Sequence, residues 1–330
     1  MKIRIKKPQL LIILLVLFLM GLFLSLLEGP VHTTFKDLFN FLFHNDNSYS
    51  TIFVQLRLSR AVLAFLVGAS LSLSGAILQG YFQNPMAGPF VVGVSSGASF
   101  GAVLSIYIGW NVSILGLSLQ SIFAFAGGFI IVTFVYLLSQ KKGIFKIETL
   151  LLIGIAAGAL ASALTSFLLF LRSESFEEAV FWLLGSFVLS DWKQIIAIFP
   201  YILLCFIIAQ WMAKNMNLLA LGDETAQSLG CPVKRVRKIF LIVATLLAAS
   251  SVSVSGVIGF IGLIVPHWVR ILIGPDHRYL FIFSSITGGV FLLFCDFLAR
   301  SLLFPTELPI GIITAAVGAP FFIFLLSKGK

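Results

Sequence analysis

The sequence predicts an all-α, polytopic membrane protein with about ten transmembrane helices and no separate soluble domain. Hydrophobic residues make up 59% of the 330 residues and charged residues only 11%. The mean hydropathy of +1.07 is far above that of a soluble domain. Because a span needs roughly 20 mostly apolar residues, short loops suffice between the apolar runs, and we expect residues 1–330 to form a single transmembrane domain.

The first apolar run follows four basic residues, a pattern that a secretory signal peptide shares. The run is nevertheless long for the apolar region of a signal peptide, and no small-x-small cleavage site follows it, so we expect a retained first span. Gly, Ser and Pro interrupt the third, seventh and eighth runs. The runs cover residues 10–27, 61–80, 88–108, 116–139, 148–170, 192–213, 239–257, 258–273, 279–298 and 308–327.

Small residues recur at helical spacing in the second run and again in the fifth. In lipid, such a stripe allows two helices to approach closely, because packing drives helix association there. We therefore expect these residues mainly to face the interior of the bundle. They are Gly68, Ser72, Gly75 and Ala76 in the second run, and Gly154, Gly158 and Ser162 in the fifth.

Polar residues and glycines interrupt the hydrophobic pattern at the end of the second run and in the third. Irregular polar backbone at membrane depth is tolerated only when it is buried in protein or lines a water-filled cavity. Two interpretations stay open: a simple cytoplasmic turn between two spans, or the lining of a pathway through the membrane. The pathway candidates are Gln79, Gln83, Asn84, Ser95 and Ser96.

A compact polar segment, residues 217–238, separates the sixth and seventh runs with the sequence NLLALGDETAQSLGCPVKRVRK. It is too short to form a domain, yet two acidic residues, two glycines, a proline and four basic residues follow one another in an ordered pattern. Acidic residues are favoured in the first turn of a helix. We interpret the segment as a short surface helix on the cytoplasmic face, well placed to receive another protein.

The eighth run contains three glycines, Pro266 and His267 within one apolar stretch. Proline removes a backbone donor and kinks or ends a helix. A lone histidine in such a setting is more often a structural group than a proton relay, and His267 is carried forward as a sixth pathway candidate.

The distribution of basic residues predicts the orientation. With ten spans and a cytoplasmic N-terminus, 16 of the 22 Lys and Arg residues fall on the cytoplasmic side, as the positive-inside rule expects. The same rule accounts for the net charge of +9 without nucleic acid, for which the sequence has no motif. Both termini and the polar segment are therefore expected in the cytoplasm.

The sequence lacks the residues that would power transport within this chain. No G-x-x-x-x-G-K-[ST] phosphate loop occurs, and no carboxylate relay of the kind used by ion-coupled carriers lies within the spans. Coupling through a partner is therefore favoured over a secondary transporter, a channel or a structural scaffold. Four scattered histidines and three cysteines, Cys205, Cys231 and Cys295, have neither metal-ligand nor disulfide spacing.

Motif blocks along most of the chain resemble the FecCD-type permeases, the membrane subunits of ABC importers for iron–siderophore complexes, haem and cobalamin. The resemblance is specific because the blocks occur together and in order. Departures are small: Ser59 replaces a proline, Met86 a leucine, and Gly88 and Phe90 flank Pro89. The matching blocks are Arg57–Arg60, Gly68–Gln79, Asn84–Ala98, Leu221–Gly230, Gly259–Arg270, Asp296–Arg300 and Glu307–Phe322.

The resemblance implies a type II ABC importer permease fold in the cytoplasmic membrane. A second copy or a paralogue would enclose the pathway, two ABC ATPase subunits would dock from the cytoplasm, and an extracellular or periplasmic binding (lipo)protein would deliver substrate. ATP and Mg²⁺ would bind the ATPase, leaving no cofactor, metal or catalytic residue in this chain. The implied coupling helix comprises Leu221, Gly222, Asp223, Glu224, Ala226, Leu229 and Gly230, and the implied docking cations are Arg57, Arg60 and Arg300.

The resemblance also implies transport by alternating access driven by the partner ATPase. A ferric siderophore is the expected cargo, with haem or cobalamin as alternatives and a secondary transporter as the remote one. Because a siderophore carries its iron inside the chelate, the permease needs no metal ligands of its own.

Overall fold

The computed structural model describes residues 5–29, 31, 33–43, 49–110, 112–114, 116–140, 147–171 and 176–328. Nearly all of its regular structure is helical, apart from a small antiparallel hairpin of β1 (Ser113–Ile114) and β2 (Leu117–Ser118), in which Ser113 pairs with Ser118. Some basic residues and histidines that entered the sequence arguments lie outside the described residues: Lys2, Arg4, Lys141, Lys142, Lys146, Arg172, Lys330, His32 and His44.

Among the described residues, each of the ten apolar runs forms an α-helix, four short α-helices lie between the runs, and Pro89–Val92 form a 3₁₀ helix before α4. Residues Thr51–Leu58 form a π-helical segment that leads directly into α3. The helices are α1 (Lys7–Leu27), α2 (Phe35–Phe43), α3 (Ser59–Tyr81), α4 (Val94–Ile108), α5 (Leu119–Ser139), α6 (Ile147–Leu171), α7 (Phe176–Leu183), α8 (Trp192–Trp211), α9 (Ala213–Leu219), α10 (Asp223–Ser228), α11 (Val233–Ser255), α12 (Ile261–Ile273), α13 (His277–Ser301) and α14 (Ile310–Lys328).

Seven helices of the described part are long and apolar enough to cross a membrane, and three shorter apolar helices accompany them. The short ones include α4 and α12, where glycine and proline interrupt the third and eighth runs. The seventh run differs, because α11 is continuous over 23 residues. Its serines do not break the helix, since hydroxyls such as those of Ser251 and Ser255 donate to carbonyls four residues earlier.

The helix α3 is the centre of the bundle and packs against α11, α12 and α13. The backbone at Gly68 lies against that of Gly288 on α13, and a Cβ at Gly75 would overlap the backbone of Gly262 on α12. The Ser74 hydroxyl donates to the Ala244 carbonyl of α11 at 2.7 Å. The small residues of the second run therefore form a packing face, as predicted.

A second packed group consists of α4, α5 and α6, and α11 joins it to α3. Glycines again set the approach, because Gly97 and Gly101 of α4 lie directly against the backbone of α5 at Gly127 and Phe123. The main apolar core reaches these helices, and a second, smaller cluster of Ala98, Ala102, Ala124 and Val252 lies between α4, α5 and α11.

The N-terminal segment and the polar segment lie at the same end of the bundle. The Ile5 amide donates to the Leu272 carbonyl at 3.1 Å, and the Lys7 ammonium lies 3.2 Å from the centroid of the Tyr279 ring. Asn217 of α9 reaches the same loop between α12 and α13. We call this side the α10 end; the other side, where α1 and α13 finish, is the opposite end.

Candidate functional site

The helix α10 is a single six-residue segment bounded by glycines. Gly222 has φ of 99° and Gly230 has φ of 82°, a left-handed conformation that favours glycine. No atom lies within 4 Å of a Cβ built at either position, so conformation and not space calls for glycine there. The predicted surface helix is confirmed but shorter than the polar segment, because residues from Val233 onward already belong to α11.

One side chain of α10 is buried in the protein, while the others are exposed. Ala226 is fully buried, whereas Asp223, Glu224 and the other α10 residues are exposed. Leu221 and Leu229, which flank the helix, are 59% and 58% exposed. The α10 end therefore presents a polar helix with one exposed leucine on either side, a composition typical of a protein-binding surface.

Arg237 fastens α10 to two long helices. Its Nη2 lies 2.6 Å from Asp223 Oδ1, and its Nε donates to Asp223 Oδ2 at 3.2 Å. Its Nη1 donates to the Tyr81 carbonyl at 2.7 Å, at the end of α3. Because the Arg237 side chain is buried at the start of α11, one guanidinium joins α10, α3 and α11.

Two further hydrogen bonds connect the segment that precedes α10 to the bundle. Gln83 Nε2 donates to the Leu219 carbonyl at 2.6 Å, and Asn217 Nδ2 donates to Asp276 Oδ1 at 2.7 Å. Hydrogen bonds, first from Arg278 and then from Asn217, hold the pKa of the Asp276 carboxyl well below its usual range. These contacts connect α10 and the segment before it to α3, α11 and the start of α13, so a displacement of α10 would act directly on these helices.

The structure places the first three pathway candidates near the α10 end. Gln79 is buried, donating from Nε2 to the Leu263 carbonyl at 2.9 Å and accepting from Arg270 Nη1 at 2.8 Å, so it bridges α3 and α12. Gln83 is exposed, and Asn84 Oδ1 accepts from the Met86 amide at 2.9 Å. The geometry of Gln83 and Asn84 is that of a turn between two spans.

The remaining candidates lie on two other helices. Ser95 and Ser96 are half-buried in the first turn of α4, and a Cβ at Gly158 of α6 would lie 3.3 Å from Ser96 Oγ. His267 is half-buried on α12. A pathway role for these residues stays a prediction.

The expected docking arginines are buried at the opposite end. Arg57, Arg60 and Arg300 are only 4%, 9% and 3% exposed. Arg57 Nη1 donates to the Leu27 carbonyl at 3.1 Å. These side chains are therefore buried within the protein, and a docking role for them stays a prediction.

Carboxylates of the same chain neutralise two of these arginines. Arg60 Nη2 lies 2.9 Å from Asp296 Oδ1, and Arg60 Nη1 lies 2.8 Å from Glu307 Oε2. Arg300 Nη2 lies 3.1 Å from Asp296 Oδ2. We call Arg60, Asp296, Arg300 and Glu307 the arginine–carboxylate cluster. The spacing of Asp296 and Arg300, four residues apart on one helix, could have predicted that one pair, but not the contacts with Arg60.

Comparison with known proteins settles the family. Residues 14–328 match the FecCD transport family. The chain belongs to this family. It is thus a multi-pass membrane protein and the permease subunit of an ABC importer, a transport subunit and not an enzyme, as predicted.

Individual relatives cover most of this FecCD permease. The cobalamin import system permease protein of Halobacterium salinarum is 45% identical over 82% of this chain and 72% of its own length. The iron(3+)-hydroxamate import system permease protein of Bacillus subtilis is 37% identical over 100% of both chains. A solved metal-chelate type ABC transporter in an inward-facing conformation is 35% identical, with a TM-score of 0.87 over 97% of this chain and 99% of that chain. The fold is that of a type II importer permease.

The FecCD permease also exposes a face of α6 that the sequence reasoning missed. Gly154 and Gly158 pack inward against the segment that precedes α4, as expected, but Ser162 is exposed. Small residues at i, i+3, i+7 and i+10 could have revealed this face, because their spacing keeps them on one side of a helix. They are Ala156, Ala159, Ala163 and Ser166, all exposed.

Proposed function

We propose that this permease carries a ferric siderophore across the cytoplasmic membrane by alternating access. The observation that carries the proposal is α10, an exposed helix fastened through Arg237 to α3 and α11. A partner ATPase bound to Leu221, Leu229 and the exposed face between them would move α10. The movement would then tilt the spans, so that the pathway opens toward one side of the membrane at a time.

The remaining partners follow from the surfaces of the permease. The exposed small residues of α6 suit close approach to a second copy or a paralogue, with the pathway at their interface. A binding protein would deliver the substrate at the opposite end, and both termini would lie in the cytoplasm. ATP and Mg²⁺ would bind the ATPase, and no bond of the substrate is made or broken by this chain.

Relatives support an iron chelate as the cargo. The hydroxamate permease of Bacillus subtilis matches this chain over its whole length, and a permease for Fe(3+)-citrate from the same organism is 37% identical. Cobalamin is the second candidate, because the permease of Halobacterium salinarum reaches 45% identity over a shorter part. Both cargoes are bulky metal chelates.

Uptake measurements test the proposal. Cells with and without this permease would receive radiolabelled iron as hydroxamate, citrate and haem complexes, and radiolabelled cobalamin. Deletion should abolish uptake of an iron chelate, and Glu224→Arg should reproduce the loss because it reverses a charge on the docking face of α10. Glu148→Arg is the matched control, since Glu148 is exposed at the same end but lies on α6.

Two results would contradict the proposal in different ways. Uptake of every iron chelate unchanged by deletion would refute the cargo, and loss of cobalamin alone would replace it by the second candidate. Normal uptake by the Glu224→Arg permease, with deletion abolishing uptake, would refute the docking face on α10 and leave the cargo standing.

A further inference from the structure

A narrow groove lies between α5 and α11 and opens to the outside of the bundle. Its volume is about 240 Å³, and it is lined on α5 by Phe129, Val132, Thr133, Tyr136 and Leu137, and on α11 by Lys238, Leu241, Ile242 and Thr245. Both sets recur at three- and four-residue spacing, so each belongs to one face of its helix.

The wall of the groove is largely apolar, and its polar groups are the hydroxyls of Thr133, Thr245 and the half-buried Tyr136. The Thr133 hydroxyl donates to the Phe129 carbonyl at 2.8 Å, and the Thr245 hydroxyl donates to the Leu241 carbonyl at 2.7 Å. Their hydrogen-bonding capacity as donors is therefore used within their own helices. A flexible hydrocarbon chain fits such a groove, because most of the lining surface is apolar.

The mouth of the groove at the α10 end is cationic. Lys238 lines the groove directly, and Lys234 and Arg235 lie one helical turn earlier on α11. All three are exposed, whereas Arg237 between them is buried and paired with Asp223. No carboxylate is among the described residues that line the groove. The apolar slot thus ends in exposed positive charge at the α10 end.

We propose that this groove binds an anionic phospholipid, with one acyl chain between α5 and α11 and the headgroup phosphate on Lys238. A hydrocarbon tail and a phosphate lie at the two ends of a phospholipid, and the groove offers their complements in the same order. Basic residues at the mouths of grooves between transmembrane helices select anionic headgroups in this way. The site is independent of the cargo and adds a lipid to the partners of this permease.

The position of the site gives the lipid a role in coupling. Lys238 directly follows Arg237, the residue that ties α10 to α3 and α11. A lipid bound at Lys238 would hold the first turns of α11 against α5, and so steady the helix from which α10 is suspended.

Lipid titrations of the purified full-length permease in dodecyl maltoside test the site. Dioleoyl phosphatidylglycerol and dioleoyl phosphatidylcholine would be added separately, with bound lipid counted by native mass spectrometry and the thermal unfolding midpoint recorded. Phosphatidylglycerol should bind more tightly and raise the midpoint further. Lys238→Gln should weaken its binding about fivefold, the effect of one basic residue near an anionic headgroup.

Lys238→Gln tests the contact with the headgroup, Ile242→Trp tests the contact with the acyl chain, and Lys214→Gln serves as the control. Ile242→Trp fills the apolar slot at an exposed position and should reduce binding of both lipids. Lys214→Gln removes an exposed cation at the same end, outside the groove, and should leave the preference intact. Equal binding of the two lipids by the unaltered permease would overturn the proposal.

A preference that survives Lys238→Gln would overturn it as well. If Lys238→Gln instead retains the lipid preference and loses copurification of the ATPase, the cations bind the ATPase and not a lipid.

Discussion

Removing the charge of Asp296 should destabilise this permease more than any other single carboxylate change in the arginine–carboxylate cluster. The Asp296 side chain is 1% exposed and lies between two guanidiniums, at 2.9 Å from Arg60 and 3.1 Å from Arg300. Glu307 contacts Arg60 and its side chain is 20% exposed. Without Asp296, Arg60 would keep one partly hydrated carboxylate, and Arg300 would lose the carboxylate with which it is paired.

The expected loss in the free energy of unfolding is about 3–5 kcal/mol, which is the cost of leaving a buried charge without its partner. We expect Asp296→Asn at the lower end, because the amide keeps the shape and one acceptor, and Asp296→Ala at the upper end. Glu307→Gln should cost less, since water already reaches its carboxylate. Thermal unfolding of the purified permease in detergent, followed by intrinsic fluorescence, would rank the three midpoints.

Asp191→Asn is the matched control. Asp191 precedes α8, is exposed and makes no capping hydrogen bond through its side chain, so its midpoint should equal that of the unaltered permease. If Asp296→Asn unfolds at the same temperature as this control, the arginines are not held by Asp296. Their burial would then need another explanation.

Three further predictions concern other contacts. Arg237→Gln should raise the number of ATP molecules hydrolysed per substrate transported in proteoliposomes that contain the ATPase, because α10 loses its connection to α3. The double variant with Asp223→Arg and Arg237→Asp should recover part of the coupling. An unchanged ratio of ATP to substrate in Arg237→Gln would exclude a role of Arg237 in coupling. Gly75→Ala should lower the free energy of unfolding by about 1–3 kcal/mol, and with it the unfolding midpoint, since the new Cβ would overlap the α12 backbone. An unchanged midpoint would show that α3 and α12 can move apart at this position without loss of stability. The pKa of Asp276 is lower in the folded than in the unfolded permease, so its stabilising contact with Arg278 is complete above about pH 4 and is lost as the pH falls further. Asp276→Asn should therefore reduce the fall of the unfolding midpoint below about pH 4. If the variant and the unaltered permease lose stability equally in acid, the contact is refuted.

Hydropathy was enough to predict the ten apolar helices, because a long run of apolar residues in a bilayer has few alternatives to a helix. The glycine stripe at Gly68 and Gly75 was predictable for a similar reason, since small residues at helical spacing have one main use in lipid. The short helix at Asp223 was also recognisable from its acidic start and flanking glycines.

The position of the arginines was not predictable from the same signals. Asp296 lies 236 residues beyond Arg60 in the sequence, and no local pattern reports a contact over that distance. Resemblance assigned Arg60 and Arg300 to an external surface, whereas packing of α3 against α13 buries both. The exposed face of α6 escaped notice because buried and exposed small residues alternate around one helix, and composition does not distinguish them.

The distance in sequence between Arg60 and Asp296 has a consequence for how the chain is made. At about 5–20 residues per second, a ribosome needs roughly 10–50 s to add the residues that separate them. During that time α3 is in or beside the bilayer with its arginine unneutralised, a costly state at membrane depth. We therefore expect Arg60 of the newly synthesised α3 to be held by the insertion machinery or near the lipid headgroups until α13 has been made. Pulse-labelled chains that end just before Asp296 should be degraded faster than chains that end after Ser301.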